Sequence, residues 1–259
     1  MVNNEDNDYS DYFSGKKLFG DDFSKEEIEK WNREEADAYA DLGNRVNNEL
    51  ENINLFNNYW YKNMNNIHGF NKIKDFKKLT FDNVLGFGSA QGGEFGSIIN
   101  KINNITIIEP SDDLMSKKIG HIIPKYIKPN KDNSFLIDND SFDLIICFSA
   151  LHHIPNVSFV LEELIRVLKP NGYLLVREPI VSMGDWRKPR EYLTKNERGI
   201  PVSYFDSIFS KNNVDIISKD YCFTATYTIQ KMFNILFKSK RPLYSYTFYV
   251  FIDKISLIF

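Results

Sequence analysis

From residue 81 onward, runs that are apolar at nearly every position alternate with amphipathic stretches, and no other feature restricts the fold as much. The runs are VLGF (84–87), ITIIE (105–109), DLIICF (143–148) and YLLVRE (173–178). A strand with one wet face alternates apolar and polar residues. A strand without a polar face has to be covered on both sides, as in a parallel sheet between layers of helix. Helical stretches are expected at 92–101, at 111–119 (SDDLMSKKI) and at 155–172. The last is the best marked: Asn156 is placed to cap it, Val157, Val160, Leu161, Leu164 and Leu168 form one face, and Lys169, Pro170, Asn171 and Gly172 stop it. Repeated units of this kind predict a doubly wound α/β fold with a mostly parallel sheet. A weak third strand and two β-rich stretches, 215–229 and 244–259, bring the expected number of strands to seven.

Ahead of this block the chain reads differently. Residues 1–23, rich in Asn, Asp and Ser, are expected to form a flexible segment. Residues 24–80 are expected to form a helical cap on the 81–259 domain. Ser24 and Glu27 have capping-box spacing, and Ile28, Trp31, Ala38, Leu42, Val46, Leu50, Ile53 and Phe56 follow at helical intervals, with one seven-residue step across Glu35 and a break expected near Gly43. Residues 179–212 are polar, interrupted by prolines and without period, which suits a substrate loop. A net charge of −3 offers no basic face to nucleic acid. Two cysteines in apolar surroundings, no secretory signal and no run of about 20 apolar residues predict a cytoplasmic protein with reduced thiols and no spanning helix. The basic and apolar C-terminal stretch leaves peripheral membrane contact open.

Five of the chain's 13 glycines, Gly86, Gly88, Gly92, Gly93 and Gly96, fall within eleven residues that begin inside the first strand run. Such a turn lets a ligand lie against main chain and the following helix start. Glu109 ends the second strand run, about where an acid accepts hydrogen bonds from ribose hydroxyls. An adenosine-containing cofactor is indicated. The spacing departs from G-x-G-x-x-G, which disfavours a nucleotide-dependent oxidoreductase or epimerase.

The stretch Val84, Leu85, Gly86, Phe87, Gly88, Ser89, Ala90, Gln91, Gly92 resembles the first motif of class I S-adenosylmethionine-dependent methyltransferases, with Gly86 where the family has an acid and Ala90 where it has its middle glycine. Residues 141–179, with FDLI, LHHI and RVLKPNGYLL, resemble the family's fourth-strand, helix and fifth-strand block. The resemblance implies a Rossmann-like fold and S-adenosylmethionine as cofactor. It implies that Leu85, Gly86, Phe87, Gly88 and Ser89 line the methionine half, that Gly92 belongs to the same cofactor-binding motif, and that Glu109 holds the ribose with Pro110 and Ser111 beside it. It further implies Met115 against the adenine, Asp132 or Asn133 at the adenine amino group, and Phe148 and Ser149 beneath the cofactor. The substituted Gly86 and Ala90 keep a non-catalytic binding module as an alternative.

Methyl transfer to a hydroxyl is helped by a base within hydrogen-bonding reach. His152 and His153, after the fourth strand, are candidates, as is Glu178 at the end of the fifth. With four histidines and no evident ligand cluster, no metal is expected. Arg187, Lys188 and Arg190, with Arg177 and Arg198 nearby in sequence, suggest a small, anionic acceptor such as a sugar, a sugar nucleotide or a phosphoryl compound of surface-glycan biosynthesis. Asp185 and Trp186 share that loop, Trp186 in position to stack on a sugar or base, and Tyr59 and Tyr61 are candidates for a lid over the acceptor. The oligomeric state is not readable.

Overall fold

The computed structural model describes residues 10–50, 55–180, 188, 190, 193–222, 229, 232, 235, 236, 248 and 251–253. Five strands, β1 (Phe81–Phe87), β2 (Ile102–Ile108), β3 (Lys125–Ile127), β4 (Phe142–Phe148) and β5 (Leu168–Arg177), form one sheet in the order β3-β2-β1-β4-β5, every neighbouring pair parallel. The order reverses at β1, so the crevice beyond its carboxyl end is where such sheets hold ligands.

The continuous apolar runs have the reason the sequence suggests. Along β4, Leu144, Ile146 and Phe148 enter one apolar cluster, while Ile145 and Cys147 enter the other. β1 divides likewise, Val84 to one face and Leu85 and Phe87 to the opposite one. On one side lie α4 (Val157–Val167) and α5 (Val202–Lys211), whose buried residues share a cluster with Leu85, Ile145 and Cys147. On the other, Phe70, Phe95, Ile98 and Ile119 cover Val84, Leu144 and Ile146. From α4, Val157, Val160, Leu161, Leu164 and Val167 are fully buried, which at roughly 2 kcal/mol each contributes on the order of 10 kcal/mol before entropy is charged.

Several expectations are corrected. The sheet has five strands among the described residues, not seven. Residues 214–222 carry no regular structure, and the described positions of the last stretch, Phe248 and Phe251–Asp253, have helical backbone. Aromatic and β-branched composition is a weak guide where no neighbouring strand supplies the pairing. The stretch 92–101 forms two 3-10 turns, Gly93–Ser97 and Ile99–Lys101, since glycine at three of its first five positions disfavours an α-helix. Only Asp112–Leu114 is helical, again 3-10, within 111–119. Helix α2 (Lys25–Leu50) runs through Gly43 unbroken.

The capping box at the start of α2 is formed: the Ser24 amide donates to Glu27 Oε2 (2.8 Å) and the Glu27 amide to Ser24 Oγ (3.3 Å). After α1 (Ser10–Phe13), Leu18 is buried in the α4 cluster, Phe19 and Phe23 pack on Trp31, and Asp21 accepts from the Ser158 amide at 2.7 Å. Thus the described part of the segment 1–23 lies against the sheet domain. Helix α3 (Tyr59–His68) begins at an Asn58 side-chain cap, whose Oδ1 accepts from the Tyr61 amide.

Candidate active site

β1 leads into a loop whose backbone takes positive φ at Gly88 (62°), Ala90 (43°) and Gly92 (77°). At Gly88 a side chain is excluded for a second reason, since its Cβ would stand 2.6 Å from that of Ala150, where the loop after β4 comes across. Glycine at 96 has a different cause: a Cβ there would overlap the Phe56 carbonyl oxygen. So what approaches the far end of the glycine run is the chain's own segment at 55–56, and only its first part is left for a ligand.

Glu109 follows β2 and is 4% exposed. Its Oε2 accepts from the Ala90 amide (3.2 Å) and its Oε1 from the Ser111 amide (3.0 Å). Burial pushes this carboxyl above the usual carboxylate range, against the two amides. A carboxylate has about four acceptor positions, so two remain for the two hydroxyls of a ribose. Tyr126 of β3 fixes the same corner, donating to Ala90 O (2.9 Å) and accepting from the Ser116 amide (2.9 Å). Leu85, Gly86, Phe87, Ser89 and Phe148 are buried below the loop, Gly88, Pro110 and Ser149 are exposed, and Met115 is half-buried. These residues fit an adenosyl ligand: positive-φ backbone, a buried acid with free acceptor positions, and a wall of apolar side chains.

The adenine contact expected at Asp132 or Asn133 meets competition. Asn133 donates to Asn156 Oδ1 (2.7 Å) and accepts from Asn32 Nδ2 (2.9 Å), while Asp132 binds the Ser134 hydroxyl (2.6 Å) and lies 3.5 Å from Lys25 Nζ. Asn156, expected to cap α4 with its side chain, makes no such bond and donates instead to Asp132 O (2.9 Å). The polar groups here tie α2 to the start of α4.

After β4, a 3-10 turn Leu151–His153 carries the histidine pair, rings 4.1 Å apart. Glu178 is not placed as a free base. Its side chain is wholly buried, Oε1 accepts from the Ala150 and Leu151 amides (2.8 Å each), and Oε2 lies 2.7 Å from His152 Nδ1. That contact puts the His152 proton on Nδ1 and leaves Nε2 as the basic nitrogen. His153 Nδ1 lies 3.0 Å from Glu35 Oε2 and 3.7 Å from Glu197 Oε1. Glu35 accepts in addition from the Thr194 hydroxyl (2.6 Å) and the Asn196 amide (2.9 Å). Burial pushes the Glu35 carboxyl up, but these donors outweigh it and hold it below the usual range. His152, His153 and Glu197 bring metal-ligand atoms within 4.8 Å of one another, yet Glu178, Glu35 and Thr194 already engage them.

The arginines divide. Arg198 is buried beneath Trp31 and donates to four main-chain carbonyls, of Phe19, His152, Ile154 and Pro155, at 2.8–3.1 Å. Arg190 spends Nη1 and Nη2 on the carbonyls of Glu197, Thr194 and Lys195. Both arginines hold main-chain carbonyls of the surrounding segments. Asp185, Trp186 and Arg187 lie outside the described residues. Arg177, at the end of β5, stacks over Phe148 (4.4 Å) and donates to Asn65 Oδ1 and to the Tyr61 hydroxyl (3.3 Å), so the structure does bring Tyr61 and Arg177 together. Tyr59 points outward, 77% exposed.

Sequence reasoning missed Glu35, Thr194, Glu197, Tyr126 and Glu94. Glu35 had a signal: it fills the gap in the apolar stripe of α2, and a charged residue at a core position is there for a partner.

Residues 85–176 match a methyltransferase-domain family. A ubiquinone biosynthesis O-methyltransferase from Hydrogenovibrio crunogenus is 22% identical over 153 residues, 53% of this chain and 64% of the relative. A mitochondrial arginine-hydroxylase from Dictyostelium discoideum is 31% identical over 122 residues, 40% of this chain and 28% of the relative. The chain thus spans less than two thirds of either. A solved S-adenosylmethionine-dependent methyltransferase from Mesorhizobium loti, 14% identical, matches with a TM-score of 0.50 over 71% of this chain and 94% of that one, a likeness of fold. Among the described residues no helix is long and apolar enough to cross a membrane. The glycine loop, the acid after β2 and the block after β4 all lie inside the span that matches the methyltransferase-domain family.

Proposed function

We propose that the chain transfers the methyl group of S-adenosylmethionine to a hydroxyl oxygen of a small, anionic acceptor such as a sugar, sugar nucleotide or phosphoryl compound of surface-glycan biosynthesis. The observation that carries the choice of oxygen is the His152–Glu178 pair. Nδ1 is held at 2.7 Å by a wholly buried carboxylate, on the turn that follows β4 at the carboxyl edge of the sheet. A base oriented in this way takes the proton of an attacking hydroxyl, and the sulfonium supplies the rest of the driving force. The O-methyltransferase named among the relatives points the same way. The preference for an anion rests on Arg177, whose guanidinium has five donors of which Asn65 and Tyr61 take two.

The test is a panel of hydroxyl acceptors, anionic and neutral, incubated with cofactor labelled in the methyl group and read by mass spectrometry. The reading expects O-methylation of anionic members, lost in His152→Ala. Transfer to amines or to neutral acceptors alone overturns it.

A further inference from the structure

The loop after β1 carries a strained residue and has no regular helix behind it. Ala90 takes φ 43° with a side chain on its Cα, a conformation that persists only where the surroundings impose it. An α-helix would hold such a loop by its first turn. Here the chain continues in two 3-10 turns, Gly93–Ser97 and Ile99–Lys101, whose hydrogen bonds are poorer. Residues 55–58 lie where that support is missing. A Cβ on Gly93 would stand 2.6 Å from Leu55 Cβ, and one on Gly96 would overlap the Phe56 carbonyl oxygen and stand 3.0 Å from Lys62 Cε. The Phe56 ring packs against the cluster of Phe95, Ile98 and Ile119, with its Cζ 3.2 Å from where Gly120 would carry a Cβ. Lys62 Nζ lies 5.6 Å from the centroid of the same ring.

The segment is pinned from its other end as well. The Asn58 amide closes the turn on Leu55 O (3.2 Å), and Asn58 Oδ1 accepts from the Tyr61 amide (2.9 Å), so α3 begins where the turn ends. Arg177 fixes α3 in turn, donating to Asn65 and Tyr61. Leu55 is 43% exposed, so burial of its own side chain does not explain why the segment lies so close to two glycines. The close approach serves the turn beneath it. We infer that Leu55 and Phe56 are positioning residues for the cofactor: seated in the notch left by Gly93 and Gly96, they hold the Gly88–Gly92 loop in the shape that receives S-adenosylmethionine. They act through the loop, whose Ala90 amide donates to Glu109. Tyr126 holds Ala90 O from β3, so the loop is gripped by one side chain of the sheet and one segment of the helical cap. The inference rests on the cofactor read from the site and is independent of the acceptor.

The experiment is calorimetric titration of the full chain with S-adenosylhomocysteine, beside urea denaturation of the same preparations. The proteins are the wild type, Phe56→Ala, Phe56→Leu, Gly96→Ala and the double variant Phe56→Ala with Gly96→Ala. Phe56→Ala should weaken S-adenosylhomocysteine about tenfold or more in the folded protein, and Phe56→Leu, which refills the notch, should stay within about threefold of wild type. Gly96→Ala, whose Cβ displaces the Phe56 carbonyl, should lose affinity to a similar extent although Phe56 is intact. The double variant should lose little more than the weaker-binding single variant, because both changes break one contact. Lower unfolding stability with wild-type affinity in Phe56→Ala would make the residue ordinary core packing and overturn the inference, as would losses that multiply in the double variant. If Phe56→Ala does not fold, Gly96→Ala decides, and unchanged affinity there overturns the inference. A wild type that binds no S-adenosylhomocysteine fails at the earlier step and overturns the cofactor reading together with the inference.

Discussion

Two groups of buried carboxyls stand on the two halves of the sheet's carboxyl edge, and the protein treats them in opposite ways. On the β1–β2 side, Glu94 and Glu109 are held above the usual carboxylate range because burial outweighs their few donors. On the β4–β5 side, Glu35 is held below it, and Glu178 and Glu197 are met by amides, a hydroxyl and histidines. Unsatisfied acceptors mark where a ligand supplies the missing donors, and satisfied ones mark where the protein has built a frame. The contrast predicts that mutations on the second side damage folding, and that mutations on the first change cofactor binding and pH dependence.

The largest effect should come from Arg198, whose four carbonyl partners belong to two segments of chain far apart in sequence, Phe19 and the turn 152–155. Burial lowers its guanidinium to about 10, so it stays charged at neutral pH. Arg198→Ala removes the guanidinium donors from all four carbonyls, of which Pro155 O keeps the Val157 amide (3.0 Å), at a cost of roughly 4 kcal/mol in unfolding free energy, while Arg198→Lys should recover part of it. Urea denaturation checks this, and a loss below about 1 kcal/mol would remove Arg198 from the frame.

Next is Glu94. A carboxyl whose folded value of about 7 exceeds the ordinary 4.5 binds more protons folded than unfolded between those limits, so it lowers stability as pH rises through that window. Glu94→Gln should therefore stabilise the cofactor-free protein at pH 8 by about 3 kcal/mol relative to its effect at pH 4. A parallel pair of stability–pH curves would mean that Glu94 is already compensated, and the comparison between the two sides would fail at its strongest point.

Glu109→Ala removes the expected partner of the ribose hydroxyls and should weaken S-adenosylmethionine by about 1.5–3 kcal/mol, measured by calorimetry. Unfolding of the free protein should change less than cofactor affinity does, since burial already opposes the charge on this group.

The difference between the two sides explains what the sequence disclosed. The cofactor half was legible because its constraints are local: a positive-φ loop at Gly88 and Gly92, and an acid one residue beyond β2. The pairing of β1, β2, β4 and β5 followed from runs that are apolar on both faces. The acceptor half was not legible, because its contacts join residues far apart in sequence. Glu35 meets Thr194 and Asn196 across more than 150 positions, and Arg198 reaches back to Phe19. Charge pattern suggested Arg190 and Arg198 as anion binders, whereas their bonds to main-chain carbonyls leave no mark in a sequence. The described residues of the two expected final strands form none, for a related reason, since strand pairing depends on a partner that local composition does not reveal.

The smallest effect belongs to Glu35, and its sign separates frame from ligand site most sharply. Although burial raises the carboxyl, the donors His153, Thr194 and the Asn196 amide bring it below 4.5. A lowered folded value means that the stabilisation is present above the unfolded value and is lost as pH falls through the folded one. Glu35→Gln keeps the shape and removes the charge, so it should cost about 1–2 kcal/mol at pH 7. The difference from wild type should shrink as the medium is acidified below 4.5, because a protonated glutamate and a glutamine are then nearly alike. Glu94→Gln must show the opposite trend, gaining stability as pH rises. If the Glu35 difference persists unchanged in acid, the loss is one of packing, and the contrast between a satisfied side and an unsatisfied one rests on Glu94 and Glu109 alone.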